Sequence, residues 1–243
     1  MQLVVMRHGQ TPANAEGRYQ GALDIGLSDT GVAQIRSQAR ALALAQAPFQ
    51  RLLSSPLLRA RQSAALVADE LGLPVTLVPA FRERHVGVFE GLTQQEARER
   101  YPALWARNIT RRWAEAPPGG ESLDEVIARV GLGLAELAQS GRQERVLLVA
   151  HGVVAKVIRA LTVAGFDDFF EWQLANGAVL EVSLACGDAG GPLSFFARRV
   201  LPVRGYLAVL FLSSCAPVSW PDRGRYRPGA PCVPPYPAGP GWH

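Results

Sequence analysis

Two short runs constrain this chain more than any other feature. LVVM at residues 3–6 is followed by Arg7-His8-Gly9, and ERVLLVA at residues 144–150 by His151-Gly152. Neither run alternates apolar with polar residues. An unbroken aliphatic run of strand length reads as a strand covered on both faces, the situation in a mostly parallel sheet between helices. Each run then meets a histidine and a glycine at its C-terminal end. In open α/β sheets, functional groups gather at the C-terminal ends of strands. Charged and polar side chains at the mouth of a buried strand are costly unless a bound group offsets that cost.

The rest of the pattern agrees with a layered α/β domain. Residues 27–46 read as a helix, with Ser28, Asp29 and Thr30 available as caps and Val32, Ile35, Ala39, Leu42 and Ala43 on an apolar face. RLLSS at 51–55 is a short strand. Pro56 is expected to start a helix that runs through Leu71 and ends at Gly72. A strand follows at 75–79, helices at 93–101 and 121–138, and a helix after Gly152. AVLEVSLA at 178–185 and LSFFARRVL at 193–201 read as further strands. Strand and helix alternation over residues 1–201 predicts an α/β/α sandwich around a mostly parallel central sheet.

Composition changes after about residue 202. Residues 213–243 hold Pro217, Pro221, Pro228, Pro231, Pro234, Pro235, Pro237 and Pro240 and show no helix or strand period. The expected organisation is one domain at 1–202 and a Pro/Gly/Arg-rich tail at 203–243 that forms no core. The net charge of +4 comes without a dense basic run or an aromatic stripe, so no nucleic-acid partner is expected. The apolar run YLAVLFL, residues 206–212, is far short of a membrane span. The start MQLVVMRHG has no leader pattern. These features predict a cytoplasmic location and no membrane partner. Cys186, Cys215 and Cys232 are not at metal-ligand spacing and do not suggest a disulfide framework.

Among the histidines, His8 and His151 occupy equivalent positions. Arg7, Arg18 and Arg59 stand at strand ends, in a loop and on a first helical turn. A guanidinium presents a rigid fork suited to phosphate or carboxylate oxygens. Each residue taken singly is more easily structural, whereas the set reads as an anion site. A metal centre would want a third ligand at short spacing and no adjacent arginine, so no metal is expected.

The chain resembles the histidine phosphatase superfamily, the phosphoglycerate mutase-like family, on four blocks in order. These are RHGQT at 7–11 with Asn14, Arg18 and LSDTG at 27–31; SSPLLRARQSA at 54–64; ERHVGVFEGLT at 83–93; and AHGVV at 150–154, with Asn176 beyond. The resemblance covers residues 1 to about 200. It implies that His8 is the nucleophile and that Arg7, Arg59 and His151 hold phosphoryl oxygens. It implies that Glu83 is the general acid and base. Asn14 and Arg18 are expected at the rim, and Gly9, Thr11 and Gly152 beside the substrate. No cofactor is implied. Glu83 lies between Arg82 and Arg84, so a surface ion pair is its alternative reading. His85 reads as a wall residue.

Three activities fit such a chain: a phosphomonoester hydrolase, a 2,3-bisphosphoglycerate-dependent mutase, and a non-catalytic binding member. The presence of both histidines, the arginines and Glu83 weakens the last. ERHVG and Arg111-Arg112 resemble the mutases, whereas FEGLT and PPGGESLDEV resemble the small phosphatases. The segment 112–151 lacks the longer insertion of the mutases, which favours an open site and hydrolysis. The expected substrate is a small phosphorylated metabolite, and the expected assembly a monomer or homodimer. Phe81, Phe89, Trp105 and Trp113 are candidates either for the mouth of the site or for the core.

Overall fold

The structure is a computed structural model that describes residues 1–44, 47–140 and 143–184. The expected strand at 193–201, the three cysteines and the Pro-rich tail lie outside the described residues.

The described strands form one sheet: β1 (Gln2–Arg7), β2 (Arg51–Ser54), β3 (Val75–Leu77), β4 (Arg145–Ala150) and β5 (Val179–Ser183), in the order β3-β2-β4-β1-β5. All neighbours are parallel except β1 and β5. The aliphatic runs are β1 and β4, neighbouring interior strands of the sheet, and their side chains divide between the faces. Leu3, Val5, Val146 and Leu148 pack on one side with α6 (Leu123–Ser140) and α7 (Gly152–Arg159). Val4, Met6, Leu147 and Val149 pack on the other with α2 (Asp29–Ala43) and α3 (Leu58–Leu71). Each such side chain contributes about 1.5–3 kcal/mol when fully buried. The outcome is the α/β/α sandwich expected from the sequence.

Local chemistry sets the element ends. Ser28 caps α2 by accepting from the Gly31 amide at 3.1 Å. Ile35, Ala39 and Leu42 are buried as expected, but Ala43 is exposed. The third helix starts at Leu58 rather than at Pro56, because Pro56 and Leu57 form the turn leaving β2 and the Asp24 carboxylate accepts from the Leu58 amide. It ends at Gly72, whose φ of 65° is left-handed. The helix after Gly152 is regular only to Arg159 and widens into a π-turn at Ala160–Ala164. The helix expected at 93–101 is α4 (Gln94–Arg100), and the short helices α1 (Pro12–Ala15) and α5 (Pro102–Ala106), each shorter than two turns, leave no periodic signal in the sequence. Of the aromatic candidates, Phe81 and Phe89 are core residues, at 0% and 1% exposure.

Candidate functional site

The sheet register builds the site. Arg7 on β1 pairs with Ala150 on β4, so the next residues, His8 and His151, leave adjacent parallel strands side by side. The His8 amide donates to the Ala150 carbonyl at 3.0 Å. The two imidazole centroids are 5.2 Å apart. Both rings are buried, at 2% and 0% exposure.

The His8 Nδ1 lies 2.7 Å from the Gly9 carbonyl oxygen. That oxygen can only accept, so Nδ1 carries the proton and Nε2 keeps its lone pair. Burial, then the charges of Arg59 and Arg7, hold the His8 pKa well below the ordinary 6.5. His151 is shifted the same way by burial, Arg59, His8 and Arg7. The two rings are thus neutral in a cationic setting, and a neutral imidazole is the nucleophilic form.

Arg59 is 1% exposed, and its two terminal nitrogens donate to Leu23 O and Gly21 O, both at 2.8 Å. Its Nε has no protein partner. Burial lowers the Arg59 pKa against the opposing pull of Glu83 and Asp24. Arg7 donates through Nη1 to Leu174 O at 2.7 Å.

Glu83 is brought to this cluster from a distant loop. A Cβ on Gly152 would lie 3.7 Å from Arg7 Cζ and 3.8 Å from Glu83 Oε2, so the carboxylate and the guanidinium flank the same residue. The carboxylate accepts from the backbone amides of Arg84 (2.9 Å) and Val153 (3.2 Å). The ion-pair reading of Glu83 is not what the structure shows. Arg82 pairs with Glu121 at 2.7 Å, and Arg84 is buried with donors on Glu121 O and Thr110 O. His85 accepts the Gly87 amide through Nδ1, a structural role.

The other expected residues divide. Asn14 sits close by, its Oδ1 accepting from Asn176 Nδ2 at 3.2 Å, while Asn176 also donates to His8 O at 3.0 Å. Thr11 is fully buried and caps the Pro12–Ala15 helix, with its hydroxyl donating to Gln20 Oε1. It is a structural support for Asn14 rather than a surface for substrate. Arg18 is held in ion pairs with Glu16 and Glu96, both at 2.6 Å, and is not grouped with His8. Gly9 serves packing: a Cβ there would meet Gly31 O at 2.4 Å. Its amide donates to Ser63 Oγ.

Sequence reading missed several supports. Ser63 and Ser55 lie in the quoted block 54–64, but a serine there carries no signal by itself. Arg129 on α6 donates to the carbonyls of Ala80, Arg82 and Glu83 and pairs with Glu121, fixing the loop that carries Glu83. Nothing in the sequence sets it apart from a solvated helix residue. Glu90, in the FEG run, accepts the Ala22 amide at 2.7 Å and so holds the loop that Arg59 reaches. Among the described residues, no group of three or more His, Cys, Asp or Glu side chains is placed to hold a metal, and no helix is long and apolar enough to cross a membrane.

The chain is similar to known proteins in sequence and fold. The family model described as "Histidine phosphatase superfamily (branch 1)" matches residues 3–189. A metal-independent phosphoserine phosphatase of Arabidopsis thaliana is 35% identical over 159 residues, 65% of this chain and 66% of that protein. The chain thus spans about two thirds of that relative's length. A 2,3-bisphosphoglycerate-dependent phosphoglycerate mutase of Methylobacterium sp. is 37% identical over 159 residues, 62% of this chain and 74% of that protein. A solved mycobacterial glucosyl-3-phosphoglycerate phosphatase, complexed with VO3, superposes with a TM-score of 0.67 at 32% identity, covering 75% of this chain and 90% of that one.

Proposed function

This chain belongs to the histidine phosphatase superfamily, and from that premise we propose that it is a metal-independent phosphomonoester hydrolase acting on a small phosphorylated metabolite through a phosphohistidine at His8. The observation that carries this reading is the neutral His8 ring, with Nδ1–H tied to Gly9 O and its Nε2 lone pair free, next to Arg7 and Arg59.

The chemistry runs on this chain's own groups. His8 Nε2 attacks phosphorus in line with the ester oxygen. Arg7, the Nε of Arg59 and His151 meet the equatorial oxygens, where contacts strengthen as charge develops. Glu83 in its acid form gives its proton to the departing alkoxide. Its carboxylate then takes a proton from water as that water attacks the phosphohistidine. Inorganic phosphate leaves and His8 returns to its starting state. Asn14, with Oδ1 occupied, keeps its amide nitrogen as a donor at the rim.

The mutase reading keeps one specific support, the 37% identity to the Methylobacterium mutase. The two separate in one experiment. A panel of phosphomonoesters, including phosphoserine, glucosyl-3-phosphoglycerate and 3-phosphoglycerate with catalytic 2,3-bisphosphoglycerate, is assayed in EDTA for phosphate release and isomer formation. Hydrolysis is expected to outpace isomerisation, with the labelled phosphoryl group trapped on His8. Faster isomerisation moves the reading to a mutase. Label on another residue, or a rate that requires added metal, defeats the mechanism.

A further inference from the structure

Behind His151 lies a serine that the mechanism has not used. Ser55 Oγ is 2.6 Å from His151 Nε2, and both residues are fully buried. The same Oγ accepts the Leu57 amide at 3.3 Å. On the other side of the ring, Nδ1 is buried and has no protein partner.

A hydroxyl has one proton to give and two lone pairs. Two wirings are therefore open to the pair. If His151 Nε2–H donates to Ser55, the hydroxyl proton has no acceptor among the described residues. Nδ1 would then be a bare lone pair with no donor. Two buried groups would go unsatisfied, each carrying its desolvation cost. If Ser55 instead donates to Nε2, its proton has an acceptor and one of its lone pairs takes the Leu57 amide. Only the Nδ1–H then lacks a protein partner, and an anion supplies an acceptor for it. The charged imidazolium is disfavoured by burial and by Arg59 and Arg7.

We propose that Ser55 is a positioning residue that fixes the tautomer of His151, donating to Nε2 so that Nδ1–H stands as a neutral donor for a phosphoryl oxygen. The phosphoryl half of this statement rests on the function proposed above. The pair of histidines then has one tautomer and two uses. His8 presents a lone pair at Nε2, and His151 presents a proton at Nδ1.

The test reads the ring directly. Long-range proton–nitrogen spectra of the full chain with 15N-histidine report which nitrogen carries the proton, with His151 assigned by its loss in His151→Gln. The parent protein is expected to hold Nδ1–H on His151 between pH 6.5 and 8.5. In Ser55→Ala the proton moves toward Nε2, and in Ser55→Thr it stays on Nδ1. Binding of inorganic phosphate weakens about tenfold in Ser55→Ala and by less than about threefold in Ser55→Thr. An Nε2–H ring in the parent protein, or an unchanged ring in Ser55→Ala, overturns the proposal. A changed tautomer with unchanged phosphate affinity removes the donor role. Should Ser55→Ala fail to fold, the parent spectrum and the threonine variant still decide. The spectra need no turnover, so a failure of the hydrolase reading leaves this result readable by itself.

Discussion

In the proposed mechanism Glu83 carries the acid–base work while the two histidines stay neutral, and each part predicts a separate measurement. A general acid matters most for a poor leaving group. Glu83→Gln should slow release from an alkyl phosphate by about 10²–10⁴-fold, and from p-nitrophenyl phosphate far less, because p-nitrophenol departs with little protonation. Steady-state rates on both substrates check this; equal damage to both removes the acid role. His8 and His151 both have pKa values well below the ordinary 6.5. In the unfolded chain both titrate near 6.5. As pH falls below 6.5 the unfolded chain therefore takes up protons that the folded one refuses, and stability drops. Urea midpoints should decline from about pH 6.5 downward, and less steeply in His151→Gln. A variant that declines just as steeply contradicts the neutral ring.

Elements position these groups, and the joints between elements are where substitutions should be felt. The turn carrying Gly9 and Gln10 crosses the first turn of α2. A Cβ on Gly31 would sit 2.0 Å from Gln10 O, a backbone atom that cannot swing away. Gly31→Ala should destabilise by about 3 kcal/mol, while Gly72→Ala, which meets nothing within 4 Å, should pay only the left-handed backbone cost of about 1–2 kcal/mol. Chemical denaturation compares the two; similar losses would mean that the α2 joint is slack. A second joint is the aromatic wall around Trp113. Trp113 packs on Phe166, Phe169 and Phe170, and Arg111 pairs with Glu171 at 3.0 Å. Lys156, the sole lysine of the chain, holds this wall by donating to Phe169 O and Phe170 O. Burial, then Arg111 and Arg7, lower its pKa to about 8, against the pull of Glu171 and Glu83. The unfolded lysine titrates near 10.5. From pH 8 to 10.5 the unfolded chain therefore binds more protons, and stability gained from relief of the buried charge rises across that window. The difference in urea midpoint between the parent protein and Lys156→Met should shift in the parent's favour above pH 8. A difference independent of pH would place the ammonium in free solvent.

At the scale of the whole molecule, we propose that the domain closes by residue 202 and that residues 203–243 add no catalytic group. A chain truncated after Val203 should be soluble and keep its turnover within about twofold, because proline-dense sequence without a hydrophobic period lacks core-forming side chains. Loss of solubility or activity would show that YLAVLFL, residues 206–212, covers an apolar face. The two aliphatic runs alone marked β1 and β4 as strands covered on both faces, because a continuous aliphatic run of strand length leaves no side for water. The sequence by itself grouped His8 and His151 with Arg7, Arg18 and Arg59 as a candidate anion site, because these residues stand at strand ends, in the following loop and on a first helical turn. It also named Glu83 and Asn176 through motif resemblance. Packing, by contrast, placed several of the expected residues in supporting contacts. Arg18 turned to Glu16 and Glu96, Thr11 to a helix cap, and Gly9 to contact with Gly31. Arg129 and Ser55 gained their places only once α6 and β2 were packed. Strand burial can be read from a short aliphatic run, whereas a hydrogen-bond partner far along the chain is chosen by register and packing, which no local run of residues encodes.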